Sequence, residues 1–293
     1  MASIRSHSQA SGPAAPQFEP IPASGRGGSA FGRQASLAHA ALSVAGRVRP
    51  HNEDRWQAAP GDGLFVVADG MGGFHAGEIA AELAVRTACD VIPGLVATGE
   101  DGAAAMHRAL DACNDRIREY SAGNRDCLGM GTTIIGCLIR GDRLHVAHIG
   151  DSRAYLLRAG RLARMTRDHS IGQQVADSGR LTEAQIRHLP GRGILTRALG
   201  VEESVPSDCG VFDWQPDDTL LLCSDGLTDL VSDEQIEQLL LARACAGAAE
   251  QVRALVDAAM QAGGSDNVTA LVVRATSQVQ EKDRETGAQE PMH

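Results

Sequence analysis

Aromatic residues make up only 3% of this 293-residue chain. Its core must therefore be built from Ala, Val, Leu and Ile, and stacking of nucleobases on aromatic faces is excluded as a main mode of binding. Lysine is nearly absent: Lys282, in the polar C-terminal tail, is the single one. That removes Schiff-base chemistry at a core lysine and a P-loop, which needs Gly-Lys-Ser/Thr. Positive charge is also in deficit, with 27 basic against 37 acidic residues and a net charge of −10. Such a chain is a poor ligand for nucleic acid or for anionic membranes, and a good one for cations. It has no run of 18 apolar residues and no charged-then-apolar leader, so neither a membrane span nor export is expected, and the cytoplasm is the expected location. The seven cysteines, Cys89, Cys113, Cys127, Cys137, Cys209, Cys223 and Cys245, are odd in number and no two lie within three positions. This excludes a CxxC zinc site and reads as reduced thiols, most of them in apolar stretches.

What is present reads as one soluble globular unit, with 43% hydrophobic and 22% charged residues, which is ordinary for that class. Residues 1–38 are rich in Ser, Gly, Ala and Pro and are expected to be a disordered leader; residues 277–293 are expected to be a loose tail. Between them, 39–276 shows no repeat and no long linker. Strands are predicted at Leu42–Ala45, Asp54–Ala58, Leu64–Ala68, Thr132–Ile139, Leu144–Ile149, Ala154–Arg158, Leu162–Met165, 208–213, 218–223 and Val268–Val273. Helices are predicted near 76–90, 102–121, 233–241 and 245–261, with Gly or Pro breakers between the first two. Residues 166–200 are polar, with short helices at most. Many short strands in hairpins, with helix pairs inserted, point to an α+β fold: an antiparallel sandwich with helices outside it.

The informative pattern is where the aspartates fall. Apolar strands run into Asp69-Gly70, into Gly150-Asp151-Ser152 and into Ser224-Asp225-Gly226, while Glu53-Asp54 and Asp266-Asn267 stand at strand starts. In an antiparallel sheet the end of one strand lies beside the start of its neighbour. The first hairpin therefore places Glu53 and Asp54 at the edge that carries Asp69, and Asp151, Asp225 and Asp266 can share it. At about 5 Å and an effective dielectric near 20, each ionised pair costs roughly 3 kcal/mol, so such a cluster needs protons or cations. Oxygen ligands without a Cys or His set favour Mg²⁺ or Mn²⁺ over Zn²⁺. Two such ions activate a water and stabilise in-line displacement at phosphorus, and Arg49, four residues before Glu53, is placed to bind phosphate oxygens bidentately. A single Asp-Gly after a strand is usually only a turn, and spacing alone leaves both readings standing.

The stretch Gly46-Arg47-Val48-Arg49-Pro50-His51-Asn52-Glu53-Asp54 resembles the first motif of the protein phosphatase 2C family, the metal-dependent Ser/Thr phosphatases. Asp69-Gly70-Met71-Gly72-Gly73 with Gly77-Glu78 resembles its second motif in the bacterial form. Gly129-Met130-Gly131-Thr132-Thr133, Gly150-Asp151-Ser152-Arg153, Ser224-Asp225-Gly226 and Asp266-Asn267 are similar to further motifs in the family's order. The segment from Asp168-His169-Ser170 to Ile194-Leu195-Thr196-Arg197-Ala198-Leu199-Gly200 resembles its flap. The resemblance covers about 40–275 and implies a central β-sandwich flanked by helices on both faces, four layers in αββα order. It implies that Asp69 bridges two metal ions, that the Gly70 carbonyl binds one of them, and that Asp225 and Asp266 complete the coordination of the second ion. Glu53 and Asp54 act mainly through metal-bound waters, Asp151 with Asp225 forms a weaker third site, and Arg49 binds phosphate. The implied reaction is hydrolysis of phosphoserine and phosphothreonine by a hydroxide bridging two Mn²⁺ or Mg²⁺ ions, with Arg49, Asp69 and Asp225 as catalytic residues. Phosphorylated proteins are the implied substrates and a cognate Ser/Thr kinase the opponent; nothing points to an obligate assembly, and a monomer is expected.

Two departures from the pattern stand out. Met71 occupies a position where many eukaryotic members carry a histidine proposed as general acid, and a thioether has no proton to donate. Phe74 stands where the bacterial motif commonly has His, with His75 next. The alternatives are a phosphatase dedicated to one regulatory partner, or a non-catalytic phosphoprotein-binding module on the same fold, which is expected to have lost metal carboxylates. A Rossmann phosphate loop at Gly70, Gly72 and Gly77 fails on spacing, and Ser224 lies in no GxSxG elbow. His145 and His148 read as strand histidines, Arg153 and Arg197 as surface ion-pairing residues, Cys223 as a buried thiol, and Glu78 as support for a helix start.

Overall fold

The computed structural model describes residues 36–72, 76–182, 185–186 and 188–276. Two antiparallel sheets lie face to face. The first has the order β1 (Ser36–Val44), β11 (Val268–Thr276), β10 (Thr219–Cys223), β7 (Arg153–Arg158), β8 (Arg161–Arg164). The second runs β2 (Asp54–Ala59), β3 (Leu64–Met71), β5 (Ile134–Arg140), β6 (Arg143–Ile149), β9 (Asp208–Asp213), with the two-residue β4 (Gly131–Thr132) paired to the end of β3.

The period of two in each strand builds three apolar layers. In β3, Phe65 and Val67 point between the sheets, where they join Ile135, Leu220, Leu222 and Leu271. Leu64, Val66 and Ala68 point the other way, onto α1 (Ala76–Ala97) and α2 (Gly102–Gly123). On the first sheet, Leu221, Cys223 and Val272 face outward onto α5 (Asp233–Ala242) and α6 (Ala248–Gln261) through Ile236, Leu240, Val252 and Leu255. Both faces of both sheets are thus covered, which is why the strands read as near-continuous apolar runs rather than as alternating ones. The result is the expected αββα fold. Two further short helices lie among the described residues: α3 (Ile171–Asp177) in the segment between β8 and β9, and α4 (Asp225–Thr228) directly after β10. Local caps mark the ends: Asp101 accepts from the N–H groups of Ala103 and Ala104 at the start of α2, and Ser232 with Gln235 forms a capping box on α5. Among the described residues no helix is long and apolar enough to cross a membrane.

Three of the boundaries that differ from the sequence reading have a clear physical cause. β1 begins at Ser36, six residues before the strand expected at Leu42, because all nine of its residues pair with β11; residues 36–38, expected in the leader, are in the sheet. α1 continues through Pro93 to Ala97, carried past the breaker by Ile92, which is fully buried. β3 continues past Ala68 to Met71, because β4 pairs with its last two residues. The rest of the leader, the tail 277–293, and Gly73, Phe74 and His75 lie outside the described residues.

Candidate active site

The common end of the two sheets gathers the acidic residues. Asp54, the first residue of β2, sits directly opposite Asp69 on β3. Asp151 follows β6, Asp225 opens α4 after β10, and Asp266 stands two residues before β11. Asp69 is fixed through its backbone: its N–H donates to Thr133 Oγ1 at 3.0 Å, and its carbonyl accepts from Thr133 N–H at 2.9 Å and Thr132 Oγ1 at 2.8 Å. Gly70 admits no side chain, since a Cβ there would lie 2.0 Å from the Gly77 carbonyl oxygen. That close approach packs the start of α1 onto the end of β3.

Glu53, Asp69, Asp151, Asp225, Asp266 and Arg49 line one cavity of ≈ 540 Å³, together with Gly70. Met71, residues 193–198, Val201 and Glu202 also line it. Asp54 does not line this cavity. It is 1% exposed, and its Oδ2 accepts from Ser224 Oγ at 2.8 Å, directly after β10, and from Thr269 Oγ1 at 2.6 Å, on β11 of the other sheet. Its Oδ1 is buried without a hydrogen-bond partner among the described residues. Asn267 braces the rim: its Oδ1 accepts from Glu53 N–H at 2.8 Å, and its Nδ2 donates to the carbonyls of Ala45 (3.0 Å) and His51 (2.8 Å). Arg49 is half-exposed and donates to Asp266 Oδ2 at 2.8 Å.

Burial, then the charges of Asp54 and Asp225, push the carboxyl of Asp69 well above the ordinary carboxylate range. Burial and then Asp225 do the same to Asp151. Asp225 is raised by burial and then by Asp229, and Asp54 chiefly by burial. Four carboxyls raised together at one point are a site built for compensation by something other than the chain. The donors are all oxygen, and one buried oxygen, Asp54 Oδ1, has no partner. This set fits hard divalent cations of the Mg²⁺ or Mn²⁺ kind and not a thiolate- or imidazole-seeking ion.

The other residues singled out in the sequence fall as follows. His145 and His148 are both buried on β6, and His148 Nε2 lies 2.8 Å from the Arg167 carbonyl. Arg153 is no surface residue: it pairs with Asp168 through Nε and Nη2 (Nη2 to Oδ2 2.7 Å) and lies largely buried. Arg197 does pair, with Asp208 at 2.8 Å, and also lines the cavity. Glu78 lies in the first turn of α1 and is held by Arg55. Burial pushes the Cys223 thiol up to about 12, which leaves it inert. Met71 lines the cavity, and among the described residues no histidine does. Sequence reasoning missed Ser224 and Thr269 as the anchors of Asp54, although both stand next to or near motif aspartates. It also missed the bracing amide of Asn267.

An end-of-sandwich cavity lined by carboxylates, with an arginine beside them, defines a metal-dependent hydrolase of phosphate esters. The family Protein phosphatase 2C matches residues 47–268. The serine/threonine phosphatase stp of Listeria monocytogenes is 37% identical over 203 residues, 68% of this chain and 81% of that one. The crystal structure of the Mycobacterium tuberculosis serine/threonine phosphatase PstP/Ppp superposes with a TM-score of 0.76 at 38% identity, over 82% of this chain and 99% of that one. A structure of the catalytic domain of PstP in complex with two manganese ions gives a TM-score of 0.73 at 37% identity, with 82% and 99% covered. The chain belongs to the protein phosphatase 2C family and is a metal-dependent protein serine/threonine phosphatase.

Proposed function

We propose that residues 39–276 form a catalytic domain that hydrolyses phosphoserine and phosphothreonine in proteins with two Mn²⁺ or Mg²⁺ ions. In this reading the protein acts as a monomer in the cytoplasm and opposes a Ser/Thr kinase. The observation that carries it is the convergence of Glu53, Asp69, Asp151, Asp225 and Asp266 with Arg49 on one cavity. Asp69, the Gly70 carbonyl, Asp225 and Asp266 would hold the two ions, Glu53 and Asp54 would act on them through water, and Asp151 with Asp225 would hold a weaker third. When bound, such ions polarise the phosphoryl oxygens and lower the pKa of water enough for attack on phosphorus at neutral pH. The chain itself supplies the rest. Arg49 offers a planar fork to the phosphate oxygens. Ser224 and Thr269 hold Asp54 so that its free oxygen faces Asp69. Met71 donates no proton, so the leaving alkoxide takes its proton from water in the cavity. The wall of 193–198 shields one side of the reacting group.

The test is phosphate release from a phosphothreonine peptide with Mn²⁺, with Mg²⁺ and with excess EDTA, beside Asp225→Ala. Release that needs metal and is lost in the folded variant supports the reading. Full activity of Asp225→Ala, or none from the native chain under either metal, overturns it.

A further inference from the structure

Behind the cavity wall lies a polar cluster that the phosphatase reading leaves without a role. His148 on β6, His169 in the segment after β8 and Asp208 at the start of β9 bring two ring nitrogens and a carboxylate oxygen within 4.8 Å of one another. The composition is that of a metal site, but the contacts are not. His148 Nε2 lies 2.8 Å from the Arg167 carbonyl. The Arg197 guanidinium donates to Asp208 Oδ1 at 2.8 Å and stands 3.1 Å from His169 Nε2. The cationic place in this cluster is filled by an arginine of the chain.

His169 is held in one tautomer. The Gly150 N–H donates to its Nδ1 at 3.1 Å, so that nitrogen carries no proton. The proton belongs on Nε2, which faces Asp208 Oδ2 at 3.2 Å. The backbone N–H of His169 donates in turn to the Gly150 carbonyl at 3.0 Å. One residue thus takes both polar atoms of Gly150. That glycine has φ +102°, and a Cβ on it would lie 2.6 Å from Thr133 Cγ2, so neither its shape nor its partners can be replaced locally. Its chain neighbour is Asp151. The His148 ring stacks on His169 at 4.7 Å and 15°, fixing the plane of the ring. Burial and then His169 push His148 down to about 4, so the stacked ring stays neutral. Hydrogen bonds from His169, then from Arg197, hold Asp208 well below the ordinary carboxylate range.

We infer that His169 is a positioning residue: through the Nδ1 bond to Gly150 it fixes the turn that presents Asp151 to the cavity, and through Asp208 it fixes Arg197, which lines the same cavity. It touches neither substrate nor ion. The inference rests on the reading of Asp151 as the ligand of the weaker third ion. Partners one step behind a ligand are worth about 10–100-fold in metal affinity or activity.

Two amide variants separate the two bonds of the ring. His169→Asn keeps an acceptor at the Nδ1 position and loses the contact with Asp208; His169→Gln keeps the Nε2 position and loses the acceptor for Gly150. The full chain is titrated with Mn²⁺ by calorimetry, its Mn²⁺ dependence of phosphate release is measured, and thermal unfolding checks the fold. The expected result is a weakest-site Mn²⁺ affinity lowered about tenfold or more in the Gln variant, with a matching rise in half-activating Mn²⁺, and a change within about threefold in the Asn variant. The inference is overturned if the Gln variant titrates like the native chain, if both variants are impaired equally, or if only the melting temperature falls. Asp225→Ala keeps the failures apart. If it stays active, the reading of the centre fails; if it is inactive while His169→Gln is native-like, only the role of His169 fails.

Discussion

Asp54 and Asp69 face each other across the β2–β3 ladder, and only one of them reaches the cavity. Asp54 is tied to the opposite sheet by Ser224 and Thr269, so a residue at the edge of one sheet is held by hydroxyls of the other. The two sheets are therefore stitched together directly under the acidic cluster. Rigidity there has a chemical use: charges that must meet ions in fixed geometry lose least when their supports do not move.

The first prediction concerns that floor. Asp69→Asn removes a buried charge and leaves the backbone bonds to Thr132 and Thr133 in place. Turnover with Mn²⁺ is expected to fall by more than about 100-fold, while the far-UV spectrum stays native. Residual activity above a tenth of native would remove Asp69 from the centre.

The second concerns pH. Burial and then Asp229 raise Asp225 from its ordinary value of 3.8 to about 7. In chelated protein the native chain then binds a proton that the unfolded chain has released, between about pH 7 and 3.8. Its charged form is a liability above that window, and the liability is relieved as pH falls through it. Asp225→Asn is neutral throughout. In EDTA the variant should melt several °C above the native chain at pH 8, and the gap should narrow as pH falls below 7 and close near pH 4. The difference between the two proteins also cancels the opposite trend of the buried, lowered His145 and His148. A gap that is constant with pH would contradict the assigned shift.

How far the sequence foretold this can be judged residue by residue. The pairing of Asp54 with Asp69 was legible, because a two-strand hairpin fixes its own register. The inclusion of Gly70 and Met71 within β3 was not, since their partner β4 comes some sixty residues later in the chain. The burial of Asp54 was also hidden: it depends on Ser224 and Thr269, brought in by sheet-on-sheet packing that no local pattern encodes. The long start of β1 likewise depends on β11 at the far end of the domain. Strand ends carrying aspartates were legible; what stands behind each aspartate was not.

The third prediction is a split of constants at Arg49. Its guanidinium donates to Asp266 Oδ2 and stands beside the carboxylates that line the cavity. Arg49→Ala should raise KM for a phosphothreonine peptide about tenfold or more with little change in kcat. Arg49→Lys should recover only part, because an ammonium cannot make the two parallel bonds of the fork. A fall in kcat alone would place Arg49 in the transition state only.

The fourth prediction separates stability from catalysis. At the far end of β7, Arg158 donates through Nε to Asp218 Oδ1 at 2.8 Å and through Nη2 to Asp218 Oδ2 at 2.6 Å, with both side chains buried. Nη2 also donates to the Asp213 carbonyl at 2.8 Å, so one guanidinium closes the turn between β9 and β10. Removing one partner of such a pair strands a charge in the interior and costs about 3–5 kcal/mol. Arg158→Ala should therefore lower the melting temperature by roughly 10 °C in a chain of this length. Five residues of strand separate Arg158 from Arg153 at the cavity end, roughly 17 Å, so kcat and KM of the folded variant at 20 °C should be native. Replacing both partners by apolar residues of similar size, Arg158→Met with Asp218→Leu, should restore much of the stability, because a buried pair gains little over good packing. A double variant as unstable as Arg158→Ala would mean that the carbonyl of Asp213, and not the charge of Asp218, is what the guanidinium is needed for.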